Sequence, residues 1–163
     1  MRLVRFVPIL VIAALLSGCG FQLRGATEIP PELSPIFVQA SGGSRVGRAL
    51  QIALRGGSAE VTTSSQEAAT VIRILEESED ERVNAVNSQG KVIAKDLLYR
   101  VSFDAIQADG GQLAQRQTIK LNREHVNPEE EVIGKAEEAE LIRRDMAEDM
   151  ADRILRRLKA QLL

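Results

Sequence analysis

The sequence predicts an α+β fold, a two-layer sandwich in which a four-stranded, mostly antiparallel sheet packs one face against two helices. Residues 36–40 form a short β-rich run, and a helical apolar period follows over residues 44–56. Three further β-patterned segments occupy residues 69–126, and a long amphipathic stretch ends the chain. Amphipathic helices and a sheet with one apolar face are expected to bury each other. No internal repeat is seen, and residues 36–163 are predicted to form a single domain.

The first strand and the first helix have clear boundaries. Ile36–Ala40 is rich in β-forming residues, and Ser41-Gly42-Gly43 ends it. Ser44 is a good N-cap, and Gly56-Gly57 is a good stop. The apolar residues recur at i, i+3, i+4, i+7 and i+8, and they are Val46, Ala49, Leu50, Ala53 and Leu54. This spacing predicts a helix over residues 44–56 with one packed face.

Three strands are predicted in the middle of the chain. Ala69–Val86 opens with a β-branched core and then becomes polar, so the far end of its strand is expected to be irregular. Asn87–Gly90 supplies turn chemistry. In Lys91–Gln107 apolar and polar residues alternate, which indicates a half-buried strand with one dry face. Leu113–Val126 is predicted to be its hairpin partner.

The loop between the last two strands decides which side chains share a face. A three-residue loop over Asp109–Gly111, with Gly111 in the left-handed conformation, is one of the common hairpin types. It would set Val101 opposite Ile119, both on the dry face. A two-residue loop would turn Lys120 onto that face, because a slip of one residue moves every side chain to the other side of the sheet. The three-residue loop is therefore predicted.

This register has a consequence for the wet face of the sheet. It brings Asp104 opposite Arg116, which is a favourable cross-strand pair. It also brings Arg100 opposite Lys120, and two neighbouring cations repel each other unless water or an anion lies between them. Two interpretations stay open, namely a solvated sheet face whose long cations splay apart, and a patch that contacts an anion.

A long helix is predicted at the end of the chain. Asn127-Pro128, followed by Glu129–Glu131, has the cap, the early proline and the acidic first turn of a helix start. Gly134 is expected to delay the regular helix until Lys135, from where it runs to Leu163. Acidic and basic residues four apart should stabilise it by roughly 0.2–0.5 kcal/mol per pair. These pairs are Glu140 with Arg144, Asp149 with Arg153, and Asp152 with Arg156.

The N-terminus has the pattern of a lipoprotein signal peptide. Two arginines precede an apolar run, Phe6–Leu16, which is short for a transmembrane helix of about 20 residues. Leu16-Ser17-Gly18-Cys19 then resembles a bacterial lipobox, in which the thiol receives a diacylglyceryl group. Residues 1–18 are predicted to be removed, which makes Cys19 the acylated first residue. The alternative is an ordinary signal peptide or membrane anchor with an incidental cysteine.

Acylation would anchor the protein to a membrane rather than through it. One acyl chain binds only marginally, whereas the two or three chains of a bacterial lipoprotein bind durably. Gly20 stands where an aspartate would retain a lipoprotein at the inner membrane in enterobacteria-like systems, which favours the outer membrane. Residues 19–35 carry Pro30, Pro31 and Pro35 and are predicted to be an extended tether on the periplasmic side.

Charge and motif content exclude several classes of function. Removal of the two N-terminal arginines changes the formal net charge from −2 to −4, so a nucleic-acid partner is not expected. Once Cys19 is acylated, no thiol remains for a disulfide or a metal site. The carboxylates of Glu76–Glu81 are interpreted as a solvated charge run, and His125, the only histidine, as a hydrogen-bonded residue at a strand end. No enzyme, cofactor or metal is predicted.

The start of the predicted mature chain also resembles a known family. Gly18–Gly25 contains Cys-Gly, an aromatic residue, a polar residue and Leu-Arg, as does the mature start of the LPS-assembly lipoprotein LptE family. The element order, Asn127-Pro128, Lys135 and Arg153–Leu158 continue the resemblance over essentially the whole mature chain. The resemblance implies an outer-membrane lipoprotein that plugs the lumen of the LptD β-barrel, helps to assemble it and helps to deliver lipopolysaccharide to the outer leaflet.

The resemblance further implies basic residues that contact the phosphates of lipopolysaccharide. Members of the family place one at the turn before the third strand and another shortly after the last strand. Lys135 matches the second position. Asn87–Gly90, at the first position, contains no basic residue, and Lys91 or Arg82 would have to substitute. A different class of function stays open, that of a structural or scaffold envelope lipoprotein that binds another periplasmic component and never contacts lipopolysaccharide.

Cys19→Ser should block lipoprotein processing and leave the precursor with its signal segment attached, because a serine hydroxyl is far less nucleophilic than a thiol. Metabolic labelling with a fatty acid, followed by gel electrophoresis, measures both the label and the size of the product. The unsubstituted chain is the control and should carry the label. Label retained in the substituted protein would contradict the prediction.

Overall fold

The computed structural model of the chain describes residues 29–57, 59–126 and 134–162. The strands are β1 (Ile36–Gln39), β2 (Thr70–Val86), β3 (Val92–Gln107) and β4 (Gln112–Val126), and the helices are α1 (Arg45–Gly56) and α2 (Gly134–Leu162). The α+β prediction is confirmed, since two helices pack against a four-stranded sheet in the predicted element order. No helix within these ranges is long and apolar enough to cross a membrane.

The sheet has the strand order β1-β2-β3-β4. β1 pairs in parallel with the first residues of β2, so that Ile36 lies opposite Thr70. Parallel neighbours need a crossover connection, and α1 lies in that connection. The other neighbours are antiparallel. The far end of β2 is irregular, as predicted, with register shifts after Val83 and after Ala85, and a further shift lies after Ile74 near the start of the strand.

The core lies between the two helices and the inner face of the sheet. Tyr99, Val101 and Phe103 of β3 are almost fully buried there. α1 packs against β1 and α2, and α2 packs over β3 and β4. The largest fully buried side chains of the helices are Leu50, Leu54, Met146, Met150, Ile154 and Leu155. Burial of these apolar side chains holds the two layers together.

Ser44 begins α1 as the predicted N-cap. Its Oγ accepts a hydrogen bond of 2.8 Å from the N–H of Gly47. A Cβ at Gly47 would lie only 2.7 Å from the Cβ of Ala40, a distance that real Cβ atoms essentially never show. The loop after β1 therefore packs closely against the helix, and a residue larger than glycine would push the two apart.

The β3–β4 hairpin reaches the predicted register by a different route. Val101 lies opposite Ile119, as predicted. The loop comes one residue earlier than predicted, because the N–H of Gln107 donates to the carbonyl of Gly111. Gly110, with a φ of 87°, is the left-handed residue in place of Gly111. Over the middle of both strands, every core side chain nevertheless lies on the face of the sheet that was predicted for it.

Two pairing irregularities near the loop absorb this difference. They lie between Phe103 and Ile106 of β3, and they leave Asp104 without Arg116 as its cross-strand partner. The predicted pair is therefore wrong. The carboxylate of Asp104 instead accepts two hydrogen bonds of 2.6 Å from Arg73 of β2. A β-bulge inserts an extra residue into one strand. The alternation of apolar and polar residues in the sequence did not indicate the bulge between Phe103 and Ile106.

The packed structure extends N-terminal of β1. Ile29 is 5% exposed, and Pro31–Leu33 forms a turn of 3-10 helix. Leu33 packs against the core. Residues 29–35, which the sequence placed in an extended tether, thus include apolar side chains that contact the domain.

Two of the three predicted ion pairs along α2 are present. The distances are 3.9 Å between Asp149 and Arg153, and 3.7 Å between Asp152 and Arg156. Glu140 was predicted to pair with Arg144, but it accepts hydrogen bonds from Arg45 of α1 instead. α2 is therefore tied to α1 by a bidentate ion pair as well as by apolar contacts.

Candidate functional site

The face of the sheet opposite the helices is the candidate ligand surface, called here the open face. Its rows run across β2, β3 and β4, and the middle row is Ser78, Arg100 and Lys120. The next row toward the β3–β4 loop has Ser102, whose hydroxyl lies 2.9 Å from that of Thr118. Polar side chains thus dominate the middle of a surface that neither α1 nor α2 covers.

Arg100 and Lys120 lie directly opposite each other on this face, as predicted. Both are exposed, and neither has an ion-pair partner among the described residues. They line a cleft of about 330 Å³ together with Arg82 and the half-buried Leu98. The structure therefore brings three of the five predicted basic candidates to one place.

The other predicted site residues lie elsewhere. Lys91 is exposed in the turn between β2 and β3, where its N–H donates to Oδ1 of Asn87 at 3.0 Å. Lys135 lies in the first turn of α2, and its side chain is outside the described part of the chain. Cys19, the predicted lipidation site, is outside the described residues altogether. Lys91 is thus not part of the cleft that Arg82, Arg100 and Lys120 line.

Glu77 is a structural residue that the sequence analysis missed. Its carboxylate accepts hydrogen bonds from Oγ of Ser44 at 2.5 Å and from the N–H of Arg45 at 3.1 Å. It also accepts one from the hydroxyl of Tyr99. A carboxylate at the start of α1 satisfies N–H groups that have no partner inside the helix, and it complements the helix dipole.

The next two alternate carboxylates of β2 continue this pattern. Glu79 lies 3.1 Å from Nε of Arg45 and 3.5 Å from Nε of Arg143. Glu81 binds Nζ of Lys95 at 3.0 Å and also the guanidinium of Arg143. The interpretation of Glu76–Glu81 as a solvated run is therefore wrong for the half-buried Glu77, whereas Glu79 and Glu81 are exposed but form ion pairs. Their spacing of two residues was the available signal, because it places them on one face of a strand.

These contacts change the acidity of the groups involved. The hydrogen bond from Lys95 lowers the pKa of Glu81, with Arg143 acting in the same direction. The hydrogen bond from Arg45 lowers the pKa of Glu140. Burial raises the pKa of the Tyr99 phenol, and its bond to Glu77 raises that pKa further. These contacts thus favour the ionised carboxylates of Glu81 and Glu140 and the protonated phenol of Tyr99.

His125 is buried at the end of β4, with 7% of its surface exposed. Its Nε2 lies 3.4 Å from a carboxylate oxygen of Glu138 but makes no hydrogen bond of acceptable geometry. The expected hydrogen bond is therefore absent at this atom. Within the described ranges, no three acidic, histidine or cysteine side chains are grouped so that they could hold a metal ion.

Comparison with known proteins identifies the family. Residues 33–158 match the family described as LptE, lipopolysaccharide-assembly. The chain belongs to this family. The LPS-assembly lipoprotein LptE of Photorhabdus laumondii is 27% identical over 157 residues, which are 94% of this chain and 85% of that protein. The protein of the same name from Yersinia pestis is 25% identical over 158 residues, covering 94% of this chain and 75% of the relative.

Solved structures agree with this family. Lipoprotein B from Nitrosomonas europaea has a TM-score of 0.68 and 28% identity, over 84% of this chain and 88% of that one. A minor lipoprotein from Acinetobacter baumannii has a TM-score of 0.65 at 17% identity, over 82% and 96% of the two chains, which shows a shared fold. The resemblance seen in the sequence is confirmed, and membership of the LptE family supports a role in lipopolysaccharide assembly.

The single tyrosine of this LptE family member should stay protonated until the protein unfolds in alkali. Because the pKa of Tyr99 is raised on folding, its contribution to stability is complete below the unfolded value of about 10 and is lost as the pH rises above it. Ultraviolet absorbance of tyrosinate reports this one side chain, and circular dichroism reports the fold. The two transitions should coincide at a pH well above 10.

The urea-unfolded chain is the control for this titration, and its phenol should ionise near pH 10. Tyrosinate that forms reversibly near that pH in the folded protein, while the circular dichroism stays unchanged, would show that Tyr99 is not held as described.

Proposed function

We propose that this chain is an outer-membrane lipoprotein that partners an LptD-like β-barrel and takes part in delivering lipopolysaccharide to the outer leaflet. The observation that carries the proposal is the match of residues 33–158 to the LptE family. The role is one of binding and assembly rather than catalysis. Removal of residues 1–18 and acylation of Cys19 would hold the domain at the periplasmic side of the membrane.

The surface chemistry of the domain supports a place inside a barrel. The lumen of a large outer-membrane barrel is polar, so a domain that fills it needs polar outer surfaces. The open face meets this requirement, because Arg100, Lys120 and Thr118 are exposed on it. Most large apolar side chains of the described residues are buried between sheet and helices, although a few, such as Ile52, Val86 and Val126, are exposed. A barrel partner would thus be recognised mainly by shape and by polar contacts.

Basic residues near the ends of the elements support contact with lipopolysaccharide. Lys135 stands at the start of α2, where the family resemblance implies a phosphate contact. Lys91 is the nearer substitute for the other family position, because it lies in the turn itself, directly before β3. Arg82 lies inside β2 and lines the cleft on the open face instead. We therefore assign the family's two positions to Lys91 and Lys135.

Co-purification from detergent-solubilised outer membrane tests the proposal. The tagged, acylated full chain should recover one large β-barrel protein in equal amount, together with lipopolysaccharide. Cys19→Ser is the control, because a precursor that is not acylated should not reach the outer membrane. Recovery of a different periplasmic component without barrel or lipopolysaccharide would favour a scaffold lipoprotein and overturn the proposal.

A further inference from the structure

We propose that Arg100 and Lys120 form a phosphate-binding site in the middle of the open face, separate from Lys91 and Lys135. The site would take a phosphate monoester carried by a larger molecule. Lipopolysaccharide is the expected source, and that choice of source rests on the proposed function. The binding of phosphate rests on the geometry of the open face alone.

Arg100 and Lys120 are two cations that lie side by side on the open face. Like charges directly opposite each other on neighbouring strands destabilise a sheet. Arg100 has Lys120 on one side and the uncharged Ser78 on the other, so neither neighbouring strand places an acid directly opposite it. Both cations are exposed at the centre of the sheet, where backbone pairing fixes the spacing of their stems. An anion between them would convert a repulsion into two attractions.

The arginines of the same face that lie nearer the β3–β4 loop are paired with acids. Arg73 forms a bidentate pair with Asp104, at 2.6 Å for both hydrogen bonds. Arg116 lies 3.7 Å from Glu76. Arg100 differs from these arginines, because in the part of the chain that the structure describes it has no carboxylate partner. The absence of a carboxylate partner is therefore specific to the middle of the open face, because Arg73 and Arg116 of the same face do have one.

The cleft beside these two cations carries more basic than acidic side chains. Arg82, Arg100 and Lys120 line it, and Asp80 and Glu81 are the acids of the same lining. Glu81 is already bound by Lys95 and Arg143 on the helix side. Asp80 is thus the one acid of the lining left to oppose three cations. Asp96 lies opposite Arg82 outside the lining, and even with it the cations outnumber the acids by three to two.

The chemistry of the two side chains suits a phosphate. A guanidinium presents parallel N–H donors that match two phosphate oxygens, and an ammonium adds a compact charge that contacts a third. A volume of about 330 Å³ leaves room for the phosphate and part of the group that carries it. Leu98, half-buried in the lining, offers that group an apolar contact.

Lys120→Glu separates a binding role from a structural one. The substitution places an acid opposite Arg100, so the melting temperature should rise by about 1–2 °C as repulsion becomes an ion pair. Binding of lipopolysaccharide by the acylated full chain, measured by titration calorimetry, should weaken about tenfold and depend less on salt. Asp80→Asn should do the reverse and tighten binding about twofold, because it removes the opposing charge.

Arg48→Glu is the matched control. Arg48 is exposed on α1 with no ion-pair partner among the described residues, and the substitution makes the same change of charge on the helix side. It should leave the affinity near that of the parent. Equal losses in the two variants would mean that only net charge matters and would overturn the site. Unchanged binding by a folded Lys120→Glu variant would overturn it as well.

The choice of ligand decides the source of the phosphate. Lipopolysaccharide stripped of its phosphates should bind the parent and Lys120→Glu alike, and a difference that persists would overturn the phosphate assignment. Phosphatidylglycerol vesicles or inorganic phosphate that bind as tightly as lipopolysaccharide would overturn lipopolysaccharide as the source. Barrel recovery by the parent is measured in parallel. A parent that binds lipopolysaccharide but recovers no barrel would count against the proposed function and leave this site standing.

Discussion

The carboxylate of Glu77 is the interaction on which the arrangement of the two layers depends. It accepts hydrogen bonds from the first N–H groups of α1 and from the hydroxyl of Tyr99 on β3. One side chain of β2 therefore connects the crossover helix to two strands of the sheet. Because helix-terminal N–H groups otherwise need water, this bond allows α1 to begin against the sheet without leaving donors unsatisfied.

The remaining contacts between helices and sheet continue from that point. Arg45, the first residue of α1, binds both Glu79 of β2 and Glu140 of α2. Arg143 of α2 returns to β2 through Glu79 and Glu81. Together these pairs hold both helices over one face of the sheet, so that neither helix covers the opposite face. The exposed pair of cations on the open face is thus a consequence of how the other face is covered.

Much of the fold could be predicted because the core obeys simple periods. The spacing of Val46, Leu50 and Leu54 defines a helix, and Ser44 defines its start. Alternation in β3 and β4 fixes which residues are buried and therefore the register over most of their length, although the loop itself lies one residue earlier than predicted. The open-face pair of Arg100 and Lys120 follows from that register, so the amino-acid sequence alone was enough to predict it.

Bulges account for what the sequence did not reveal. The register shift between Ile74 and Glu76 changes which residues of β2 face the helices. Alternation continued from Ile72 and Ile74 would place Glu76 inside, whereas Glu77 is the residue that meets α1. A bulge leaves little trace in a polar segment, because there is no apolar alternation to interrupt.

A double-mutant cycle on Glu77 and Tyr99 tests the central claim that this bond joins the two layers. Glu77→Gln, Tyr99→Phe and the combined variant are compared with the parent by urea unfolding of the acylated chain. Each single change should lower the free energy of unfolding, and the combined loss should be smaller than the sum by about 1 kcal/mol or more. Losses that add within about 0.3 kcal/mol would show that the two side chains act independently and would contradict the account.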